Sequence, residues 1–359
     1  MSKKRELIIL HDLDGRPYYK ALESLDFSRV RFVESSIFRI LARDFLKNKN
    51  IFFSIRRFFK NLLFRLSVPF IKNKVIVMGM APNDFRVVYY SFLKKKNKLI
   101  IHTSHPYWND SERSIRKYGS YLDKFFRAIW IKTLNDSNIS VVCVTKASLN
   151  SLLLFSGSTR IYQIYHAVDE SIYYPNRNKK QNDVLHIAFI GNFVFSKGLV
   201  IIKYLVESLA DDDRFKFHII GDGENKSFLS ETLLYKNVTY YGQVYDDRKK
   251  SEVLRYCDVL INPSIKTKKW QELLGIVNIE GMMSGLAVIA SKHIGPEEII
   301  NSDVGILVDD SEENVFLNKI KFLQENPEAL YSYQKNAVKE SQRFSFECIS
   351  KKWKDIIDE

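Results

Sequence analysis

The sequence lacks the features that mark disulfide-stapled, zinc-binding and membrane-spanning proteins. Its 359 residues include 3 cysteines, and Cys143, Cys257 and Cys348 are too far apart and odd in number for a disulfide framework or a zinc site. No uncharged apolar run approaches the length of about 18 residues that a membrane-spanning helix needs. The apolar run near the start, Leu7–Leu10, is shorter than that of a signal peptide. We therefore expect a globular protein of the reducing cytoplasm.

Acidic residues are scarce in one half of the chain only. Residues 1–150 hold 29 Lys and Arg against 12 Asp and Glu, a net charge of +17, whereas residues 151–359 hold 26 against 30, a net charge of −4. The N-terminal half is therefore expected to face an anionic partner, and nucleic acid and an anionic membrane surface are the two obvious classes. Because no nucleic-acid-binding motif accompanies the charge, we expect no nucleic-acid partner.

The basic residues are densest between positions 29 and 74, where the only acids are Glu34 and Asp44. These basic residues are Arg29, Arg31, Arg39, Arg43, Lys47, Lys49, Arg56, Arg57, Lys60, Arg65, Lys72 and Lys74. Apolar residues interleave with them at roughly helical spacing, namely Ile51, Ile55, Phe58, Phe59, Leu62, Phe64 and Leu66. A basic helix with an aromatic face can lie in a bilayer interface, so we expect segment 29–74 to bind an anionic membrane surface. The alternative is that the apolar face packs on a sheet while the bases are solvated.

Strand and helix patterns alternate in both halves of the chain. This alternation predicts an α/β protein with two parallel, doubly wound domains that face a cleft. Residues 176–183, NRNKKQND, contain no large apolar side chain and are the expected linker. We therefore predict an N-terminal domain at residues 1–175 and a C-terminal domain at residues 184–342.

Residues 262–290 are the most informative stretch, reading as the end of a strand, a loop, a helix and another strand. Glu272 lies just before the helix and Glu280 lies inside it. The amides of Gly275–Val277 precede the first helical hydrogen bond and, with the helix dipole, form a ready site for a phosphate. Because carboxylates accept hydrogen bonds from sugar hydroxyls, the stretch predicts a site for a sugar attached to a nucleoside diphosphate. The alternative is that acids near a helix start only favour its dipole.

This stretch resembles the signature of the retaining glycosyltransferases of the GT-B fold, family 4 or "group 1" type. The matching residues are Pro263, Ser264, Glu272, Gly275, Glu280, Met282, Gly285, Val288, Ile289 and Ala290. The resemblance implies two Rossmann-like domains facing a cleft, the first binding the acceptor and the second the nucleotide sugar. It also implies that the last helix, expected at residues 345–357, crosses back onto the first domain.

The resemblance also implies roles for individual residues. Glu280 would hold the ribose hydroxyls of the donor, and Glu272 would hold the hydroxyls of the transferred sugar. Lys197 and the helix-start amides would stabilise the charge that grows on the leaving diphosphate. His105 would line the sugar pocket, with His102 as the alternative. The expected donor-binding residues are Gly191, Asn192, Lys197, Val244, Gly275, Ile276, Val277 and Glu280.

Asn192 stands where the family has an arginine that clamps the diphosphate together with the lysine. The resemblance therefore leaves the second base of the clamp open, and Lys266, Lys268 or Lys269 could supply it. We identify no Asp-x-Asp motif or histidine cluster that would hold a metal, so we expect no cofactor and no metal requirement.

We predict a retaining, metal-independent hexosyltransferase that moves a sugar from a nucleotide-diphosphate donor to a glycan or lipid-linked glycan. Its place would be cell-surface polysaccharide biosynthesis, in the cytoplasm and peripheral on the cytoplasmic face of the membrane. Three alternatives stay open: a nucleotide-sugar epimerase of the same fold, a non-catalytic glycosyltransferase-like partner protein, and a nucleic-acid binder.

Overall fold

The structure, a computed structural model, describes most of the chain. The described residues are 4–12, 14–36, 51–109, 118–158, 160–176, 183–232, 234–268, 270–309 and 312–359. The chain divides into two compact units, one formed by Met1–Ala167 with Ile349–Glu359 and the other by Val168–Cys348. The division lies upstream of the linker expected at 176–183 because Val168 already bonds to the second unit, its N–H donating to the Phe344 carbonyl at 2.9 Å.

The first unit is built on a six-stranded parallel sheet. Its strands are β1 (Glu6–His11), β2 (Arg29–Glu34), β3 (Lys74–Gly79), β4 (Lys98–Thr103), β5 (Ile139–Cys143) and β6 (Ile161–Gln163). They lie in the order β2-β1-β3-β4-β5-β6, so β2 is an edge strand. The side chains of Leu7 and Val75 on one face and of Ile8 and Ile76 on the other are all buried, as expected for a parallel sheet that is covered on both faces.

Within the described residues, five helices follow the strands of this unit. They are α1 (Arg16–Tyr19), α2 (Ile51–Ser67), α3 (Val87–Tyr90), α4 (Ser120–Leu134) and α5 (Lys146–Ser156). The segment with helical spacing of apolar and basic residues thus forms α2, whereas residues 37–50 of the expected membrane-binding segment lie outside the described residues. No helix among the described ranges is both long enough and apolar enough to cross a bilayer.

The second unit contains another six-stranded parallel sheet. Its strands are β7 (Leu185–Ile190), β8 (Phe215–Ile220), β9 (Val238–Tyr240), β10 (Val259–Asn262), β11 (Ala287–Ser291) and β12 (Gly305–Val308). Its helices are α6 (Leu199–Ser208), α7 (Lys226–Thr232), α8 (Asp247–Tyr256), α9 (Ile276–Met283), α10 (Ile294–Ile299), α11 (Glu313–Glu325) and α12 (Pro327–Ser341). The strand order β12-β11-β10-β7-β8-β9 reverses between β7 and β10. The predicted α/β class with a parallel, doubly wound sheet in each half is confirmed.

The last helix, α13 (Phe346–Asp358), belongs to the first unit from Ile349 onwards. There the ring of Trp353 lies 5.6 Å from the ring of His102, and Arg5 Nη2 donates to the Ile357 carbonyl at 3.3 Å. Ring packing thus joins the C-terminal helix to β4, and a hydrogen bond joins it to Arg5, the residue before β1.

Candidate functional site

Two loops meet at the carboxyl end of the second sheet, where the strand order reverses between β7 and β10. The loop after β7 ends at Gly198, and the loop after β10 begins at Pro263. Gly198 has a φ of 71°, and a Cβ atom there would stand 1.8 Å from the Pro263 carbonyl oxygen, so only glycine permits this approach. Ligands of open α/β sheets bind in the crevice at such a reversal. This edge is therefore the candidate site of the second unit.

Lys197 and Glu272 lie together at this edge. The resemblance implies that the lysine contacts the diphosphate and the carboxylate contacts the sugar of one donor. The lysine ammonium forms an ion pair with Glu272 Oε2, and Ser264 Oγ donates to the same oxygen at 3.3 Å. Lys197 Nζ also lies 5.0 Å from the centre of the Trp270 ring. The ion pair and the cation–π contact hold the lysine head between the carboxylate and the indole.

A buried histidine fixes the backbone beside Glu272. The Glu272 N–H donates to His293 Nδ1 at 3.2 Å, so the ring hydrogen is on Nε2, which donates to the Ser264 carbonyl at 2.8 Å. His293 is 2% exposed. The ring thereby joins the backbone of Glu272, the ion-pair partner of Lys197, to that of Ser264, which donates to the same carboxylate. Sequence reasoning missed His293, because a lone histidine between a strand and a helix gives no signal of this bridging.

The start of α9 presents the predicted amides. The Asn278 N–H makes the first bond of the helix, to the Gly275 carbonyl at 2.9 Å. The N–H groups of Gly275, Ile276 and Val277 therefore have no carbonyl within the helix to bond. Behind them, Asn262 Nδ2 donates to Asn278 Oδ1 at 3.1 Å, and Asn278 Nδ2 is buried without a hydrogen-bond partner in the described ranges.

Glu280 is held inside α9 by a lysine that sequence reasoning missed. Glu280 is 6% exposed, and its Oε1 accepts a hydrogen bond from Lys250 Nζ at 2.7 Å. Its Oε2 is buried and has no hydrogen-bond partner among the residues that the structure describes. Burial raises the pKa of Glu280, and the charge of Lys250 opposes that rise. The Tyr173 hydroxyl also faces the carboxylate, and Oε2 can accept a hydrogen bond from a further donor, such as the hydroxyl of a ligand.

The other expected donor-binding residues lie in the same unit without joining the Lys197–Glu272 pair. Gly191 directly follows β7 and is half-buried, whereas Asn192 is exposed and its carbonyl accepts from the Val194 N–H at 2.8 Å. Val244 is half-buried in the loop after β9. Of the three lysines considered for the second clamp position, Lys266 and Lys268 are exposed. Lys269 lies outside the described residues.

The two histidines proposed in the first unit lie in different environments. His105 is half-buried in the loop after β4, and its N–H donates to Thr103 Oγ1 at 3.2 Å. His102 is 6% exposed, and its Nδ1 lies 2.6 Å from Tyr19 Oη. Burial and the neighbouring His166 lower the pKa of His102 well below its usual value. His105 is thus the more accessible of the two.

Sequence reasoning also missed an aromatic cluster at the carboxyl end of the first sheet. The His166 ring lies 4.9 Å from the Tyr18 ring and 5.5 Å from the His102 ring, and the His11 ring lies 5.7 Å from Tyr18. Burial and the nearby His11 lower the pKa of His166 to about 4. These four rings at one edge of the sheet offer stacking surface to a sugar ring.

Among the described residues, no three His, Cys, Asp or Glu side chains are grouped as a metal site requires. The expectation that the reaction needs no metal stays a prediction.

Comparison with known proteins bears on the second unit most directly. Residues 173–340 match the family model of the glycosyl transferases group 1. The chain is 26% identical over 173 residues to the Arabidopsis thaliana sulfoquinovosyl transferase SQD2, a match that covers 47% of this chain and 32% of that protein. It is 28% identical over 182 residues to the Erwinia amylovora amylovoran biosynthesis glycosyltransferase AmsD, covering 50% and 49%. The chain thus spans less than half the length of these relatives.

Solved structures of low sequence identity share the fold along nearly the whole chain. A glycosyltransferase from Rickettsia africae has a TM-score of 0.69 at 16% identity, covering 99% of each chain. The Anabaena protein HepE, solved in complex with UDP and glucose, has a TM-score of 0.67 at 17% identity, covering 98% and 99%. Residues 173–340 therefore form a group 1 glycosyltransferase domain, in a chain with the GT-B fold.

Proposed function

We propose that this protein transfers a sugar from a nucleotide-diphosphate donor to a glycan or lipid-linked glycan, with retention at the anomeric carbon and without a metal. The observation that carries the proposal is the buried Glu280 Oε2, which has no partner among the described residues and lies in the same unit as the Lys197–Glu272 pair. A buried carboxylate oxygen without a hydrogen bond is costly and calls for a ligand or water. A ribose hydroxyl is a donor of the required kind.

The donor diphosphate would lie between Lys197 and the start of α9. The N–H groups of Gly275, Ile276 and Val277 are suitably oriented donors, and Lys197 supplies a full positive charge. As the bond to the sugar breaks, negative charge grows on the diphosphate, and these fixed groups stabilise it without reorganising. Glu272, freed in part from Lys197, accepts hydrogen bonds from the transferred sugar.

The acceptor would bind to the first unit, with His105 lining the sugar pocket. Its hydroxyl would attack the anomeric carbon on the face that the nucleotide leaves, so no separated carboxylate pair is needed. One relative is named for amylovoran biosynthesis and another for sulfoquinovosyl transfer. These names support a glycan or glycan-like acceptor for this chain.

The outer face of α2 supports a peripheral membrane location. Five apolar side chains are largely exposed on one side of α2 and just beyond it: Phe52, Phe59, Leu63, Leu66 and Phe70, at 81%, 54%, 63%, 64% and 79%. The inner face is mixed: Phe64 is buried in the core of the first unit, Asn61 Nδ2 donates to Glu34 Oε2 at 3.2 Å, and Arg65 donates to the Ser35 carbonyl. The helix thus packs by one face and leaves a separate apolar stripe exposed, which suits a bilayer interface. The proposal therefore includes a location on the cytoplasmic membrane face.

The test is thermal unfolding with UDP, GDP, ADP and their sugars, on wild type and on Glu280→Ala. UDP comes first because HepE was solved with it. A nucleotide at a hundredfold excess over its dissociation constant should stabilise the wild type by about 2.7 kcal/mol, and Glu280→Ala should abolish the shift. Absence of any shift would overturn the proposal. Conversion of one nucleotide sugar into another without an acceptor would identify an epimerase instead.

A further inference from the structure

A basic groove runs between the edge strand β2 and the helix α2, within the segment expected to bind an anionic membrane surface. Its volume is about 900 Å³, in the range of small-molecule sites. Six basic side chains line it together with two carboxylates: Arg16, Arg29, Arg31, Arg56, Arg57 and Lys60, with Asp14 and Glu34. We call this the β2–α2 groove. Its excess of positive charge calls for an anionic ligand.

Both carboxylates of the groove are already bonded. Asp14 Oδ2 accepts from Arg16 Nη2 at 2.6 Å, and Glu34 forms an ion pair with Arg57. Arg31 Nη1 lies 3.5 Å from a carboxylate outside the groove, Glu6 Oε1. The intramolecular ion pairs therefore engage only half of the basic side chains.

The remaining three, Arg29, Arg56 and Lys60, have no ion-pair or hydrogen-bond partner within the part of the chain that the structure describes. Arg29 lies at the start of β2, and Arg56 and Lys60 are four residues apart on α2, so that they share one flank of the helix. Two guanidinium groups and an ammonium around one concavity match a phosphate, whose oxygens accept the paired N–H groups of arginine.

The apolar stripe of α2 adjoins this flank. At about 100° per residue, Arg56 and Lys60 lie between the exposed stripe and the buried face of the helix. Phe53, which is 62% exposed, lines the groove itself. A ligand here meets cations on one side and apolar side chains on the other, which is the chemistry of an amphiphile with a phosphate headgroup.

We propose that the β2–α2 groove holds the phosphate of an anionic phospholipid headgroup while the adjoining apolar stripe of α2 lies among the acyl chains. The proposal rests on the membrane location proposed above and deepens it, since it names the group that the protein recognises. A flat basic surface would respond to charge density alone. The groove, in contrast, requires arginine geometry at particular positions.

The test is co-sedimentation with phosphatidylcholine vesicles that contain or lack phosphatidylglycerol. The triple variant Arg29→Gln/Arg56→Gln/Lys60→Gln should partition onto phosphatidylglycerol vesicles roughly 100-fold more weakly than wild type, because each base near an anionic surface contributes substantially. The matched control, Lys319→Gln/Lys335→Gln/Lys339→Gln, removes three charges from the second unit and should bind like wild type.

A charge-conserving variant separates the groove from diffuse attraction. Arg29→Lys/Arg56→Lys keeps the net charge but loses the paired N–H geometry, and should bind phosphatidylglycerol vesicles several-fold more weakly than wild type. Equal vesicle binding by the wild type and both groove variants overturns the proposal. The proposal also fails if the control variant of the second unit, with Lys319, Lys335 and Lys339 changed to Gln, loses as much vesicle binding as the triple groove variant. Thermal stabilisation by UDP should be the same in every variant, which shows that they are folded.

Three further outcomes would identify a different ligand for the groove or show that the membrane location itself is wrong. If inorganic phosphate stabilises the wild type but not the triple variant, while vesicle binding ignores the groove, the ligand is a free phosphate and the lipid assignment is wrong. If single-stranded RNA binding falls as much as vesicle binding in the triple variant, the groove is a general polyanion surface and the assignment is again wrong. If the wild type binds no vesicle, the proposed membrane location itself fails.

Discussion

Lys250 Nζ lies 2.7 Å from Glu280 Oε1, and this ion pair joins the first turns of α8 to the interior of α9. The two side chains are 15% and 7% exposed. The other ionisable groups facing the carboxylate are Asp247, 3.4 Å from Lys250 Nζ, and Tyr173. Since burial raises the pKa of Glu280 and Lys250 opposes that rise, the lysine keeps the carboxylate charged and oriented.

We predict that Lys250→Met makes nucleotide binding pH-dependent. Without the lysine, the pKa of Glu280 rises further, so the carboxyl takes up a proton as the pH falls and accepts hydroxyl hydrogen bonds less well. At neutral pH, the variant should bind UDP about tenfold more weakly than the wild type does, a difference of about 1.4 kcal/mol in binding free energy. Affinity should recover as the pH is raised, whereas that of the wild type should stay level.

Titration calorimetry with UDP across a pH series measures this effect. Lys250→Arg should restore wild-type behaviour, and Lys249→Met, which changes the exposed neighbouring lysine, should leave binding unchanged. A uniform loss at every pH would show that Lys250 has only a structural role.

A second prediction concerns Lys197, which is paired with Glu272. If the lysine stabilises charge on the leaving diphosphate, Lys197→Met should lower kcat by about 100-fold or more while KM for the donor changes little. Steady-state transfer assays with the nucleotide sugar found by thermal unfolding measure both constants. Lys203→Met, which removes an exposed ion-paired lysine on α6, is the control and should keep full activity. A rise in KM alone would make Lys197 a residue of donor binding.

Local patterns predicted some of these residues and not others. Lys197 and Glu272 belong to contiguous loop-and-helix motifs, so the resemblance of those motifs to the family signature was enough to select them as candidates. Lys250 lies in a run of polar residues on α8, and only its contact with Glu280 in the folded chain distinguishes it from its neighbours. The choice between His102 and His105 depended in the same way on which side chain the sheet encloses.

The orientation of α2 is a second feature that depends on contacts between distant segments and not on local sequence. Its helical spacing of apolar and basic residues is plain in the sequence, but the spacing does not say which side faces the sheet. Asn61 and Arg65 bond to Glu34 and Ser35, and Phe64 enters the core beside them. These contacts leave the stripe with Phe59 and Leu63 outside. Because the partners come from β2, about thirty residues earlier, the sequence pattern alone could not exclude an inward apolar side.

A third prediction tests the close approach of the two loops at Gly198. A Cβ atom at this position would stand 1.8 Å from the Pro263 carbonyl oxygen, so Gly198→Ala should force the loops apart and lower the free energy of unfolding by more than about 2 kcal/mol. Gly242 has nearly the same backbone conformation, with φ of 70° against 71°, and no atom within 4 Å of the Cβ position. Gly242→Ala should therefore cost only about 1 kcal/mol. Urea unfolding of the two variants measures the difference, and equal costs would refute the clash.

The fourth prediction concerns the stability of the first unit in acid. The pKa of His166 falls from 6.5 to about 4 in the folded protein, so the unfolded chain binds a proton more readily. The stabilisation that this difference provides is fully present above pH 6.5 and is lost as the pH falls towards 4. His166→Gln should flatten this part of the profile, because the glutamine cannot take up the proton. His102, whose pKa is also lowered, should still contribute to the slope in that variant.

Tryptophan fluorescence can follow this unit alone in a Trp270→Phe background. The remaining tryptophans, Trp108, Trp130 and Trp353, all lie in the first unit. Urea unfolding at a series of pH values then gives the slope with and without His166. An unchanged slope in His166→Gln would mean that the imidazole is protonated alike in the folded and unfolded chains. In that case the ring would be open to water, and the cluster around Tyr18 would be a hydrated surface instead of a dry stacking site for the acceptor.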